Sequence, residues 1–335
     1  MDDLPPLPLR TRLMVGFTSL AVGCAGAEGL ARLGDGGALP HLALFHQDAG
    51  GSIGLRPQAS QDIAGPQDSF SVRTDRAGCR VGRDADPSGW LVVGDSQVLG
   101  MGVEGEQTFA ALGGHHNCGV PGFGVGDAAA RAAALHRADT RGVLIVVNQA
   151  NDWEEGLVPV DERYDVAGGR LIRTASKGVV GRAFWSSPLP RSHLLYYVAM
   201  LGMALSQGSA PPPAWLTAPA DQGPQTRALA AEVDRLARAL QPTPVVAAFL
   251  PVDVAAAEER VPSSPFGRYT GGAARPWAET HLRDQLEDAL TVARFVDLLP
   301  ALQGRPDAFL GDDYHLSPDG HARVAAALAP HLEAP

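Results

Sequence analysis

The sequence predicts an α/β fold: a three-layer αβα sandwich around a five-stranded, mainly parallel sheet, preceded by an apolar N-terminal segment and an irregular collar. Three observations carry this prediction. Five short apolar runs recur between residues 90 and 299, without the polar alternation of a half-exposed strand, so each reads as a strand buried on both faces. Helical stretches separate them, which demands crossover connections and helices on both faces of the sheet. The residues just after the runs are small or polar, as expected at the edge where the loops of such sheets gather. Residues 1–33 read as a leader or anchor and 34–85 as the collar. Residues 86–335 form the main domain, with an insertion at about 155–222.

The elements follow in order. Arg10 and Arg12 precede an uncharged apolar run, Leu13 to Ala27. That run suits a signal sequence, with Ala25-Gly26-Ala27 as a cleavage site or Ala21-Val22-Gly23-Cys24 as a lipidation box. It also suits an uncleaved anchor continuing through Leu33, with Glu28 and Arg32 at the outer interface. The collar is rich in Gly, Pro, Asp and Gln. Trp90-Leu91-Val92-Val93 is the first strand, and residues 106–112 form a helix with Glu106 or Thr108 near its start. Asn117-Cys118-Gly119-Val120 is the second short strand or its end. Asp127 to Ala138 is helical with Asp127 in a capping position, and Gly142 to Val147 is the third strand. The insertion is Pro- and Gly-rich, with one apolar helix around Leu194–Leu205. Thr226–Leu240 is an amphipathic helix, Pro244–Leu250 a strand, Arg275–Thr291 a helix and Phe295–Leu299 a strand. Ser317-Pro318-Asp319 opens a last helix to about Leu332, with proline in its first turn.

Composition removes several functional classes. The chain has 335 residues, 45% of them hydrophobic, enough for a sizeable core. Its net charge is −10 with no basic stripe, which argues against a nucleic-acid partner. Lys177 is the sole lysine and stands in no phosphate-loop motif. Cys24, Cys79 and Cys118 have no C-x-x-C spacing, which argues against a zinc site. No metal or cofactor is expected.

The candidate chemistry lies at the strand ends. Gly94-Asp95-Ser96 follows the first strand, Asn117 to Gly122 forms the second and its turn, and Asn148 to Asp152 follows the third. Asp312-Asp313-Tyr314-His315 precedes the last helix. One rim thus collects a serine, a glycine-rich turn, an asparagine and an Asp-x-x-His pair. Acyl transfer through serine needs those parts: a nucleophile, an imidazole base, a carboxylate to orient the base, and donors for an oxyanion. Asp312 is expected to orient His315, and Asp313 competes at a spacing of two. His321 reads as structural, the pair His115-His116 as strand-edge polarity, and Asp152 as support for Asn151.

Four blocks in this order, framing residues 88–332, resemble the SGNH/GDSL hydrolase family. Gly94-Asp95-Ser96 with Gly100 is similar to its first block, with Ser96 at the nucleophile's position. Asn117…Pro121-Gly122 is similar to the second, with Gly122 at the oxyanion glycine. Asn151-Asp152 is similar to the third, with Asn151 at the oxyanion asparagine and Ala150 where glycine is usual. Asp312-x-x-His315 is similar to the last and completes a triad. The resemblance implies a flavodoxin-like sandwich, catalytic Ser96, His315 and Asp312, and an oxyanion hole from Ser96, Gly122 and Asn151. It implies hydrolysis of an ester, either an O-acyl group of a glycan or a lipid-like acyl ester. Glycan O-acyl transfer by the same triad, or a non-catalytic envelope glycan-binding protein, are the alternatives. The stretch Gly94–Phe109 and His315-Leu316-Ser317 with Gly320-His321 resemble a bacterial exported subgroup. Its members often have an N-terminal anchor and a collar ending in a D-G-F-R-like turn, here Arg76-Ala77-Gly78-Cys79-Arg80. The catalytic domain is then expected outside the cytoplasmic membrane, anchored or secreted.

Two motif matches lack their context. Gly50-Gly51-Ser52-Ile53-Gly54 fits G-x-S-x-G but follows no buried strand. Gly100 to Gly105 fits G-x-G-x-x-G but starts well after its strand. Cys79 and Cys118 form either a disulfide tying collar to site or two buried thiols, and a Cα separation above about 7 Å would exclude the bridge.

Overall fold

A computed structural model describes residues 9–65, 68–82, 89–174, 179–187, 189–207, 211–269 and 276–332. Five parallel strands form the central sheet: β1 (Trp90–Val93), β2 (His116–Asn117), β3 (Gly142–Asn148), β4 (Val245–Leu250) and β5 (Arg294–Asp297). Their spatial order is β5-β4-β3-β1-β2. The chain therefore starts near one edge, steps outward to β2, then crosses back over β1 to build the other half. Every residue of β1, β3 and β4 is buried, as their unbroken apolar runs require.

The longer helices are α1 (Leu9–Gly34), α2 (Val125–Leu135), α3 (His193–Gln207), α4 (Gly223–Ala239), α5 (Pro276–Ala289) and α6 (Pro318–Leu332), beside the eight-residue helix Val179–Ser186 and several single turns. Side chains alternate across the strands and feed two cores. Leu91, Val93, Ile145, Val147 and Phe249 meet α2, α4 and α5 through Ala128, Leu229, Val233 and Leu282. Trp90, Val92, Leu144, Val146 and Val296 face the other way, onto Phe109 and onto Val324 and Leu328 of α6. The period-two alternation of a strand thus becomes two helical layers on one sheet.

One open expectation is settled and one is corrected. The second strand is His116–Asn117, so residues 117–120 are its end rather than a full strand; beyond it the chain still runs beside β1, with Cys118 N–H donating to Val92 O (2.8 Å) and Val120 N–H to Gly94 O (3.0 Å). The insertion is less irregular than its composition suggests. Tyr164–Ala167 and Arg170–Arg173 pair as an antiparallel hairpin turned by Gly168 and Gly169, both in the left-handed region. The apolar helix expected around 194–205 is α3. Arg275, the expected first residue of α5, the 85/86 boundary and Lys177 lie outside the described residues.

The collar holds two antiparallel hairpins, Phe45–Gln47 with Ile53–Leu55 and Ser60–Ala64 with Ser69–Arg73. Ser52 sits exposed in the turn of the first, so its G-x-S-x-G match is a hairpin turn. Cys79 and Cys118 are joined in a disulfide with Cα atoms 4.3 Å apart. Arg80, 1% exposed, donates from one guanidinium to Ser71 O in the collar and to Leu99 O, Gly100 O and Val103 O beyond β1. Burial lowers this guanidinium to about 10, with the charges of Glu104 and Glu106 opposing, so it stays charged. Arg131 of α2 also reaches the collar, donating to Ala77 O and Gly78 O.

The segment Met14–Gly34 within α1 is long and apolar enough to cross a membrane, with mean hydropathy 1.3, and its apolar window is unburied. Both a membrane anchor and a signal sequence fit those properties. Glu28 pairs with Arg32 at 2.6 Å and also accepts from the backbone N–H of His193 and Leu194, capping α3. Its two carboxylate oxygens thereby link the end of α1 to the start of α3.

Candidate active site

β1 delivers the chain to Asp95, whose Oδ1 accepts from Gln97 N–H at 2.9 Å and caps the single helical turn Ser96–Leu99. Ser96 is the first residue of that turn, at the carboxyl end of β1. The other oxygen of Asp95 accepts from Asn148 Nδ2 at 2.7 Å, and Asp152 Oδ2 accepts from Asn148 N–H at 2.6 Å. A buried chain Asp95–Asn148–Asp152 therefore holds the ends of β1 and β3 together. Burial, reinforced by the charge of Asp95, pushes the Asp152 carboxyl well above 3.8.

The sequence brings His315 to Ser96 from 219 residues away. His315 Nε2 lies 2.8 Å from Ser96 Oγ, and His315 Nδ1 lies 2.8 Å from Asp313 Oδ1. The tautomer consistent with both contacts donates Nδ1–H to Asp313 and leaves Nε2 to accept from the hydroxyl. The carboxylate on the imidazole is thus Asp313, and the expectation of Asp312 is corrected. Its cause is local: Asp313 Oδ1 also accepts from His315 N–H (3.3 Å), an Asx turn that folds the carboxylate back over the ring, while Asp312 is exposed. Burial raises the Asp313 carboxyl, but its bonds to His315 and the positive ring more than offset that, and the group lies below its ordinary value.

The histidine loop is held by residues that no motif marked. Gln97, next to Ser96, donates through Nε2 to Tyr314 O (3.0 Å) and accepts at Oε1 from Leu316 N–H (3.1 Å), bracketing His315 on both sides. Arg260, buried, donates to Leu310 O and Asp313 O at 2.7 Å each, so the turn carrying Asp313 is clasped from behind. Tyr314 stacks on His315 with ring centroids 4.6 Å apart. Gln97 stands beside a marked serine, and its side-chain amide was the available signal. Arg260 lies outside every block and gave none.

The turns carrying Gly122 and Asn151 follow β2 and β3, the two strands that flank β1, so both border the Ser96 turn. Gly119 permits the close approach: a Cβ there would stand 2.5 Å from Leu99 N. Gly122 has φ +83°, a conformation that favours glycine. Asn151 is half-buried, and its Oδ1 is buried without a hydrogen-bond partner. His321 is buried and accepts at Nδ1 from Phe109 N–H (3.2 Å), a structural role, and burial lowers it to about 3. His116 bonds Asp75 at 2.7 Å.

A cavity of about 380 Å³ opens beside Gly122, between the collar, the hairpin 164–173 and α3. Cys79, Cys118 and His116 offer metal-ligand atoms within 4.8 Å of one another, but both sulfurs are committed to the disulfide. No family model matches the chain, and no curated protein matches it.

Proposed function

We propose that the chain is a serine esterase that cleaves an O-acyl ester of a glycan or a lipid-like acyl ester, with Ser96, His315 and Asp313 as its triad. The observation that carries this reading is the unbroken path Ser96 Oγ–His315 Nε2 and His315 Nδ1–Asp313 Oδ1, 2.8 Å at each step. In the proposed reaction Ser96 Oγ attacks the acyl carbonyl as its proton passes to His315 Nε2. The carbonyl π pair moves onto oxygen, which takes hydrogen bonds from the N–H groups of Ser96 and Gly122 and from Asn151 Nδ2. Collapse of that adduct expels the alcohol, which takes the proton from His315 and leaves an acyl-serine. Water, deprotonated by the same imidazole, then attacks the acyl-serine and releases the acid and the free hydroxyl. Asp313 keeps the ring in the tautomer that accepts at Nε2 and stabilises the imidazolium.

The order of the sequence blocks supports the SGNH/GDSL assignment, as does the gathering of their residues at one edge of a parallel sheet. The apolar segment Met14–Gly34 of α1 and the positive Arg10 and Arg12 ahead of it support a location at the cell envelope, with the catalytic domain outside. The test is a fluorophosphonate probe. It should label the wild type at Ser96 and leave Ser96→Ala unlabelled with an unchanged melting temperature, since Ser96 fills no core space. Labelling of Ser52, or of the Ser96→Ala protein, would defeat the reading.

A further inference from the structure

The cavity beside Gly122 contains a charge that the proposed ester chemistry does not use. Arg170 is 6% exposed and forms part of the cavity wall. Among the described residues no carboxylate pairs with it. Its Nε donates instead to His41 Nε2. Burial and the neighbouring charges of Arg170 and His193 depress His41 to about 3, so the imidazole is a neutral acceptor and does nothing to balance the guanidinium. After burial, the largest influence on the Arg170 guanidinium is the charge of a second cation, Arg191, and both lower it. The thirteen residues of the lining include two arginines and no carboxylate, in a chain of net charge −10. Arg173 is already matched by Glu155 at 3.1 Å, which leaves Arg170 as the cation in want of a partner. A buried guanidinium without a counter-charge is costly, and the fork of a fixed arginine suits a phosphate or carboxylate.

Much of the remaining wall is apolar: Leu42 and Phe45 from the collar, Leu171 from the hairpin, Tyr196 and Met200 from α3. His41 stacks on Tyr196 at 4.6 Å, so the same ring that holds Arg170 also joins it to α3. The opposite face of α3 is exposed and apolar, through Leu195, Val198 and Leu201, and its 15 residues include no Asp, Glu, Lys or Arg. Its start is capped by Glu28 of α1, and Asp35 just beyond α1 takes a hydrogen bond from Tyr197 Oη at 2.6 Å. The wall of the cavity is therefore one side of a helix whose other side continues the apolar surface of α1.

We propose that this cavity binds the anionic end of an amphiphile, with the anionic group on Arg170 and the first methylenes of its chain against Phe45, Tyr196 and Met200. The proposal rests on the esterase reading for its substrate: the ester presented to Ser96 then belongs to a membrane-borne anionic lipid rather than to a free glycan. Its binding step is independent of turnover, so the two fail separately.

The experiment is calorimetric titration of the full chain carrying Ser96→Ala in phosphatidylcholine nanodiscs, against empty nanodiscs. Three probes separate the sources of the chemistry: hexyl phosphate, inorganic phosphate and hexanol. Hexyl phosphate should bind at least about tenfold more tightly than either of the others. Arg170→Gln should weaken it at least about tenfold, and Arg170→Lys should recover part of that loss because it keeps the charge without the fork. Met200→Trp, at the half-open rim, should weaken hexyl phosphate by filling the mouth. It decides the matter if Arg170→Gln does not fold. Equal affinity for inorganic and hexyl phosphate would overturn the amphiphile, and binding unchanged by both Arg170→Gln and Met200→Trp would overturn the site. Fluorophosphonate labelling away from Ser96 would remove the esterase reading and leave the binding result standing.

Discussion

Replacing Asp313 by Asn separates the carboxylate that touches the imidazole from the one that the spacing favoured. Asp313 Oδ1 is 2.8 Å from His315 Nδ1, and its side chain is 33% exposed. When His315 becomes an imidazolium in the proposed transition state, opposite unit charges about 4 Å apart at an effective dielectric near 20 attract by about 4 kcal/mol. Partial solvent exposure reduces that to roughly 2–3 kcal/mol. At about 1.36 kcal/mol per tenfold, Asp313→Asn should slow kcat by roughly 30- to 150-fold from charge alone. An Asn that turns its NH₂ toward Nδ1 forces the proton onto Nε2, and the loss then extends toward about 10⁴-fold. Exposed Asp312→Asn should change kcat by less than about threefold. Hydrolysis of p-nitrophenyl butyrate by both variants, with melting temperatures beside it, measures the contrast. A large loss in Asp312→Asn with little in Asp313→Asn would refute the assignment and show that the Asx turn rearranges when substrate binds.

Three further outcomes are expected. Asn151→Ala should lower kcat by about 100- to 1,000-fold with a smaller change in KM, because an oxyanion donor acts on the transition state; a change confined to KM in steady-state assays would make Asn151 a substrate contact instead. Closing the 39-residue separation between Cys79 and Cys118 constrains the unfolded chain by about 4 kcal/mol, so paired Cys→Ser substitution should lower denaturant stability by about 2–4 kcal/mol, and an unchanged midpoint would show the bridge to be dispensable. Asp152→Asn should stabilise the protein at pH 8 more than at pH 4: the folded carboxyl is raised above 3.8, so the unfolded chain sheds its proton first and stability falls as pH climbs through that window. Thermal melts at both values check the sign, and a gain independent of pH would contradict it.

The sheet was legible because buried parallel strands leave unbroken apolar runs, and four of the five were placed within about two residues. The extent of β2 was left open because Cys118 to Val120 continue the apolar composition, and Cys118 and Val120 N–H still bond to Val92 O and Gly94 O while Gly119 N–H turns to Asn117 Oδ1. Ser96 and His315 were legible as chemistry-bearing residues at strand ends. Asp313 was misjudged because spacing along a chain does not fix where a side chain points once an Asx turn reverses it. The hairpin 164–173 was hidden by glycine and charge, since a two-stranded ribbon with half-exposed faces has little apolar periodicity. Arg170 and Arg260 carry no motif, and their meaning lies in the carbonyls, rings and missing carboxylates around them, which are three-dimensional facts.

Arg80 has a consequence for how the molecule comes apart. Its guanidinium serves four carbonyls, one in the collar, one closing the Ser96–Leu99 turn and two just beyond it, from a position with almost no solvent access. Peeling the collar away would strand those carbonyls together with a buried charge, at about 1–3 kcal/mol for each unsatisfied group. A local opening of that size approaches the 5–15 kcal/mol that holds a whole domain folded. The collar is accordingly no detachable module: it and the sheet share one cooperative transition. The turn that carries Ser96 is thus held by a residue of the collar, which precedes it in the chain.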